Sequence, residues 1–394
     1  MNRALHGWVA VASAFTLMFV GFGAAYSFGA FFKAFQAEFG APRGDVALAF
    51  SVAAFVWFVG GAPGGVLADR FGPRRVTLAG VACLVAALYL AGSAGSVGML
   101  YATYSIGIGA GVGLVYVPAV GAVQPWFTSN RALASGIAVA GIGAGNFAVP
   151  PLVAHWIDVY GWRGAFVALA VFTLVLGGVA AAAIDAPPKT AGAPRDGTPL
   201  RTALRTPQFV LLYVSITACG VGLFVPMVHL GPFALDHGYS EGEGVALVSL
   251  IGLGSLLGRF VIGPFADRLG RRSSLAAMYA GLGAMLLVWW GASAYWLLAL
   301  FALLFGAFYG GSVALLPTIV MDLYGARAVS GIIGFLYTGA GVGTLLGPWL
   351  AGAAFDAFGS YGAPILASAL LSFVAAAFVL PLVKGEKAPL LHRG

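Results

Sequence analysis

Arg259 is the residue of this chain that most needs a chemical account. It stands inside the apolar run Gly252–Phe265, and no Asp or Glu occurs between Val245 and Asp267. An arginine at bilayer depth costs roughly 3 to 17 kcal/mol, depending on how it is measured, unless it faces a wet cavity. In such a cavity a planar guanidinium can grip a carboxylate through two parallel N–H bonds. His229, in the stretch Val225–Leu230, is the histidine placed well inside an apolar run. With an ordinary pKa of about 6.5, its imidazole is the natural proton carrier there. Pro226, three residues earlier, frees a carbonyl and bends its helix toward a cavity. Tyr116 and Tyr309 stand in similar glycine-rich surroundings, with Tyr26 and Tyr337 as weaker companions. Their hydroxyls can donate to a carboxylate while their rings shape a small pocket. No carboxylate lies deep in any apolar run, since Asp45 and Asp322 sit near run ends.

The elements that must hold these residues are membrane helices. Of 394 residues, 60% are hydrophobic and 8% are charged, against roughly 25% charged in a soluble domain. That much apolar side chain has to face lipid. Runs of about 20 apolar residues, the length that crosses a bilayer, fall at 7–32, 45–67, 76–95, 98–123, 132–156, 162–184, 208–233, 245–266, 274–293, 295–321, 329–353 and 360–382. The expected fold is all-α, with twelve spans in two six-helix halves: residues 1–185, a Pro-rich charged linker at 186–207, and residues 208–394. An even number of spans places both termini on one side.

The basic residues say which side. Sixteen fall on one face of the expected topology, namely Arg3, Arg70, Arg74, Arg75, Arg131, Lys189, Arg195, Arg201, Arg205, Arg268, Arg271, Arg272, Arg327, Lys384, Lys387 and Arg393. Only Lys33, Arg43 and Arg163 fall on the other. Cytoplasmic loops carry such an excess, so both termini are expected in the cytoplasm, in the inner membrane of a bacterium. The net charge of +7 is thereby topological and gives no reason to expect nucleic acid as a partner. Cys83 and Cys219 each stand alone in an apolar run and read as small buried hydrophobes. No metal or cofactor is expected, and the absence of a His–carboxylate or metal cluster argues against an enzyme. The paired small residues of Gly107–Gly113 and Gly141–Gly145 lack a following Lys-Ser or Lys-Thr. They read as smooth helix faces that let backbones approach, not as phosphate loops.

The chain also repeats itself. Gly65–Arg74 reappears as Gly263–Arg272, and Asp158–Gly161 as Asp356–Gly359, each 198 residues on. The first of these loops places Gly65, Asp69, Arg70, Gly72, Arg74 and Arg75 in a G-x-x-x-D-R-x-G-x-R-R pattern, and the second places Gly263, Asp267, Arg268, Gly270 and Arg272. This pattern resembles the signature loop of the major facilitator superfamily, whose members are built from two six-helix halves in parallel repeat. The resemblance implies a gating role for the loop, a latch on one conformation, and none in contacting substrate.

A narrower resemblance, to the monocarboxylate porter family, rests on Trp126–Ala134, on Ser135–Gly141, and on Met321–Leu323 followed by Gly347 and Pro348. His6–Trp8 matches that family's opening only in part. The resemblance implies a secondary transporter, with small carboxylate anions such as lactate or pyruvate and a proton as its partners, and with Arg259 as the carboxylate anchor of the eighth helix. His229 recurs in a Pro-x-x-His-Leu stretch like that of bacterial relatives. One departure stands out. Eukaryotic members carry an aspartate one turn before the arginine, where this chain has Ser255, so the proton route does not follow from the family pattern. The alternative is an organic anion exchanger of the oxalate–formate type. Such exchangers use a second deep cation in the eleventh helix, and Gly331–Gly352 contains neither Lys nor Arg. A reporter fused after Gly394 should accordingly be active only in the cytoplasm, and one inserted at Glu241 only outside; the reverse pattern would overturn the topology.

Overall fold

The computed structural model describes residues 3–127, 131–185, 197–325 and 327–383, almost entirely as helices. The side chains of several helical residues, Asp69 and Asp267 among them, lie outside that description, as do residues 186–196 of the expected linker. Helix α1 runs in two pieces, Arg3–Tyr26 and Phe28–Phe39. It is followed by α2 (Arg43–Phe71), α3 (Pro73–Gly92) and α4 (Val97–Val123), and then by α5 (131–160) and α6 (162–183). Helix α7 is again in two pieces, Pro207–Leu223 and Val225–Asp236. The set ends with α8 (Glu241–Leu269), α9 (Arg271–Gly291), α10 (Tyr295–Tyr324), α11 (Val329–Phe358) and α12 (Gly362–Val383). Among the described residues, eleven unbroken runs are long and apolar enough to cross a membrane, because the fifth and sixth spans form one run, Leu133–Ala183. That run turns at Gly161, whose φ of 69° breaks the helix, and this recovers the twelfth span.

Apolar composition alone makes these segments helical, since a backbone in lipid must satisfy its polar groups within the segment. Their ends are set by local chemistry. Ser240 and Glu243 form a reciprocal capping box at the start of α8, and the Thr206 side chain accepts from the Phe209 amide at the start of α7. The tight turns between α2 and α3 and between α8 and α9 depend on Gly72 and Gly270, with φ of 86° and 89°. A side chain is disfavoured at that φ and glycine is not.

The repeat seen in the sequence is also a repeat in space. Gly72 and Gly270 are 198 residues apart, and so are the left-handed Gly161 and Gly359. Arg74 Nε donates to the Ile184 carbonyl at 3.3 Å, and 198 residues on Arg272 donates to the Leu382 carbonyl at 2.9 Å. The breaks in α1 and α7, at Ser27 and Phe224, fall one residue short of the same spacing.

Two kinds of seam hold the helices. Within the second set of six, α8 and α10 touch backbone to backbone, because Gly254, Gly258, Gly306 and Gly310 each lie where a Cβ would collide with a carbonyl of the facing helix. Between the two sets, α2 lies antiparallel along α11, with Gly44 beside Ala353 and Ala62 beside Gly334. Helix α5 lies along α8 in the same way, with Gly143 against Leu256. Gly310→Ala should force α8 and α10 apart, at about 1–3 kcal/mol for such overpacking, and lower the thermal unfolding midpoint of the purified protein by several degrees. Gly178→Ala, at an open position on α6, should leave the midpoint unchanged. Equal midpoints for the two variants would mean that the seam is loose.

Candidate functional site

The four tyrosines singled out in the sequence converge. Tyr26 of α1 and Tyr309 of α10 face each other with hydroxyl oxygens 3.1 Å apart. Tyr116 of α4 and Tyr337 of α11 do the same at 3.4 Å. Each pair joins one helix of the first six to one of the last six, so the tyrosines mark the interface of the halves. They line a cavity of about 80 Å³, walled also by Phe22, Trp57, Phe224 and Ser312, with no Asp or Glu in its lining. A space of that size holds a few waters or a small organic ion. Broken helices place the tyrosines here: Tyr26 ends the first piece of α1, and Phe224 is the non-helical residue between the two pieces of α7.

Arg259 lies beside this cavity and outside its immediate lining. Its charge reaches Tyr26, Tyr309 and Tyr337. Nη1 donates to the Val139 carbonyl of α5, across the interface. Nε and Nη2 are buried and have no partner. These two nitrogens form one edge of the guanidinium, the edge that takes both oxygens of a carboxylate side-on. Ser255, one turn earlier, is buried with its hydroxyl likewise unpartnered.

His229 is not brought to the cavity. It is fully buried toward the end of the bundle that is poor in Lys and Arg, where Nε2 stands 2.8 Å from the Pro348 carbonyl and Nδ1 3.0 Å from the Tyr361 hydroxyl. A carbonyl can only accept, so Nε2 carries the hydrogen and Nδ1 accepts from Tyr361. The Tyr361 oxygen in turn accepts from Arg43 Nη1 at 2.9 Å. Arg43 forms a forked ion pair with Asp236, at 2.6 and 2.7 Å, and lies 3.9 Å over the Phe355 ring. Asp356, at the end of α11, accepts the Arg43 and Gly44 amides at 2.9 and 2.7 Å and so caps α2 from the other half. Lys33 pairs with Glu241 nearby. These ends of the two halves are fastened together by this cluster, and the exposed Lys33–Glu241 pair adds little to it.

The loop motif acts elsewhere. Arg74 reaches Ile184 and stands 3.6 Å from Asp185. Arg271 donates through Nη1 to both carboxylate oxygens of Asp322, at 2.7 and 2.9 Å. Arg70, Arg75 and Arg268 are exposed, and Arg70 stacks over Phe71. The named bonds tie each loop to helix ends of its own half. Asp69 and Asp267 fall among the side chains outside the description.

Trp57 was missed in the sequence. It is 2% exposed, lines the cavity, and has an indole N–H without a partner. A tryptophan within an apolar span carries no signal that separates it from packing.

Comparison with known proteins agrees with this architecture. The model of the Major Facilitator Superfamily matches residues 14–251 and 210–393. Monocarboxylate transporter 13 of Bos taurus is 30% identical over 379 residues, covering 95% of this chain and 87% of that protein. Monocarboxylate transporter 11 of Homo sapiens is 31% identical over 390 residues, covering 93% and 80%. Among solved structures, a bacterial homologue of the human lysosomal transporter Spinster, in an inward-facing and unoccupied conformation, superposes with a TM-score of 0.77 at 17% identity, over 98% of this chain and 99% of that one; this likeness bears on the fold alone. A twelve-span bundle with a largely apolar cavity, dotted with tyrosine hydroxyls, at the interface of its halves is the form of a carrier and not of an enzyme, and the chain belongs to the major facilitator superfamily, as a secondary transporter related to the monocarboxylate transporters.

Proposed function

We propose that the protein carries small monocarboxylates of the lactate or pyruvate kind by alternating access with proton symport, its basic loops facing the cytoplasm of a bacterium. The observation that carries this reading is the unpartnered Nε–Nη2 edge of Arg259 beside a largely apolar cavity whose lining holds tyrosine hydroxyls and no Asp or Glu. A buried cation needs an anion, and the substrate supplies it. Neutralising the guanidinium also makes closure around the site less costly, which couples loading to the movement of the halves. The absence of Lys and Arg from Gly331–Gly352 favours one negative charge over the two of an oxalate-type exchanger. Tyr26, Tyr116, Tyr309 and Tyr337 hold the remainder of the substrate, and the loop motif stiffens each half as a gating element.

His229 enters as the proton site of this reading, through the latch and at a distance from the cavity. The groups facing it are Tyr361 and Pro348 directly, with Arg43, Asp236 and Asp356 behind them. The neutral ring completes this chain of bonds. On protonation Nδ1 becomes a donor, aimed at a Tyr361 oxygen that already accepts from Arg43. Acid on the side poor in Lys and Arg therefore loosens the latch, and alkali restores it.

Arg259→Ala should abolish carboxylate binding. Arg259→Lys should weaken it at least tenfold, because an ammonium is a point charge without the planar fork. Both proteins should still insert and melt near the parent, while stabilisation by substrate disappears. Normal affinity in a folded Arg259→Ala protein would sink the assignment. His229→Gln keeps hydrogen-bonding capacity but does not titrate. In proteoliposomes it should retain substrate counterflow and lose accumulation driven by a pH gradient. Undiminished accumulation would remove His229 from the proton path.

A further inference from the structure

We infer that Trp57 is the substrate contact supplied by the first six helices, and that its indole N–H reads an oxygen on the carbon next to the carboxylate. The inference rests on the carboxylate reading of Arg259 and adds a preference for 2-hydroxy and 2-oxo acids over unsubstituted ones.

Trp57 sits on α2, across the cavity interface from the helix that carries Arg259. It is buried to within 2% in a cage of aromatic rings, with centroids 5.7 Å from Phe50, 5.9 Å from Phe22, and 6.2 Å from both Tyr26 and Phe224. Tyr26 and Phe224 stand 198 residues apart, one from each half, so the indole is clamped where the halves meet. The cage fixes the ring without answering its N–H, which has no partner. Leaving such a donor buried and unmatched is costly.

The other polar groups of the cavity have alternatives. Tyr26 and Tyr309 can bond to each other, as can Tyr116 and Tyr337. A tyrosine hydroxyl both donates and accepts, whereas an indole only donates. An acceptor for the Trp57 N–H can come from a substrate in the cavity that this residue lines. If both oxygens of the substrate carboxylate lie along the Nε–Nη2 edge of Arg259, the acceptor left over is an oxygen at the second carbon. An unsubstituted acid would leave the indole as it stands. Trp289 marks the contrast: its N–H is also unpartnered, but it packs against Phe233 and Phe301 away from this cavity and carries no such inference.

The test measures binding of lactate, pyruvate and propionate to the purified full chain by titration calorimetry. The parent should prefer lactate and pyruvate to propionate. Trp57→Phe should weaken lactate and pyruvate by about 5- to 10-fold, the worth of one buried hydrogen bond, while propionate stays within about twofold. Incorporation of 3-benzothienylalanine at position 57 keeps the ring shape and replaces N–H by sulfur. It should reproduce the same selective loss, and it stands in if the phenylalanine variant does not fold. Equal weakening of all three acids would reduce Trp57 to packing and overturn the inference, as would an unchanged preference. A folded parent that binds none of the three would overturn the carboxylate reading, and this inference with it. A parent that binds all three equally would overturn this inference alone.

Discussion

A single cation buried among membrane helices, with no carboxylate to answer it, is the constraint on which the rest of this molecule depends. Arg259 has one nitrogen tied to a backbone carbonyl across the interface and one edge left open. Nothing fixed in the cavity lining offsets that charge. The surroundings are built to tolerate it without neutralising it: hydroxyls that donate or accept as needed, aromatic rings that exclude water, and a seam of α5 against α8 that lets the guanidinium reach the other half. A fixed aspartate would have made the site more stable when empty and less responsive to a passing anion. On the proposed carboxylate reading, the selectivity of the site follows from what the protein withholds.

The second dependence is on pseudo-symmetry. Equivalent bonds 198 residues apart, such as Arg74 to Ile184 and Arg272 to Leu382, give each half the same internal bracing. The chemistry is distributed unequally over that frame. Where the first half has Tyr26, the second has Phe224. Arg163, which bonds the Gly92 and Ala94 carbonyls within the first half, corresponds to Tyr361, which joins Arg43 to His229. Symmetric scaffolding provides two bodies able to rock, and asymmetric side chains decide what they hold and where they lock.

Much of this was legible in the sequence, for identifiable reasons. Span positions follow from runs of apolar residues, which lipid forces into helices; only the junction at Gly161 runs two spans into one, because a single left-handed glycine turns the chain with no polar loop. The repeat was legible because turns need glycine and loops need arginine at fixed places. Arg259 was legible because a charge in an apolar run is rare. Tyr26, Tyr116, Tyr309 and Tyr337 were weaker signals that geometry brought together. His229 was legible as a buried titratable group but not as part of a latch, since Arg43 and Tyr361 lie far from it in the chain, and Asp236, two turns on, stands like them near an ordinary span end. Trp57 gave no signal at all, because what sets it apart is an unanswered N–H, and that is visible only once the neighbours are known.

The glycine seam between α8 and α10 has a mechanical consequence. With backbones in contact at Gly254, Gly258, Gly306 and Gly310, these two helices cannot slide past each other without collision, so Arg259 and Tyr309 travel as fixtures of one rigid plate. Val139 and Tyr26 belong to the opposing plate. When the halves rock, the arginine keeps its tyrosine neighbour and exchanges its partners on the far side. On the carboxylate reading proposed for Arg259, a bound anion is therefore cargo riding on one jaw of the clamp, and its release begins with the contacts made by the other.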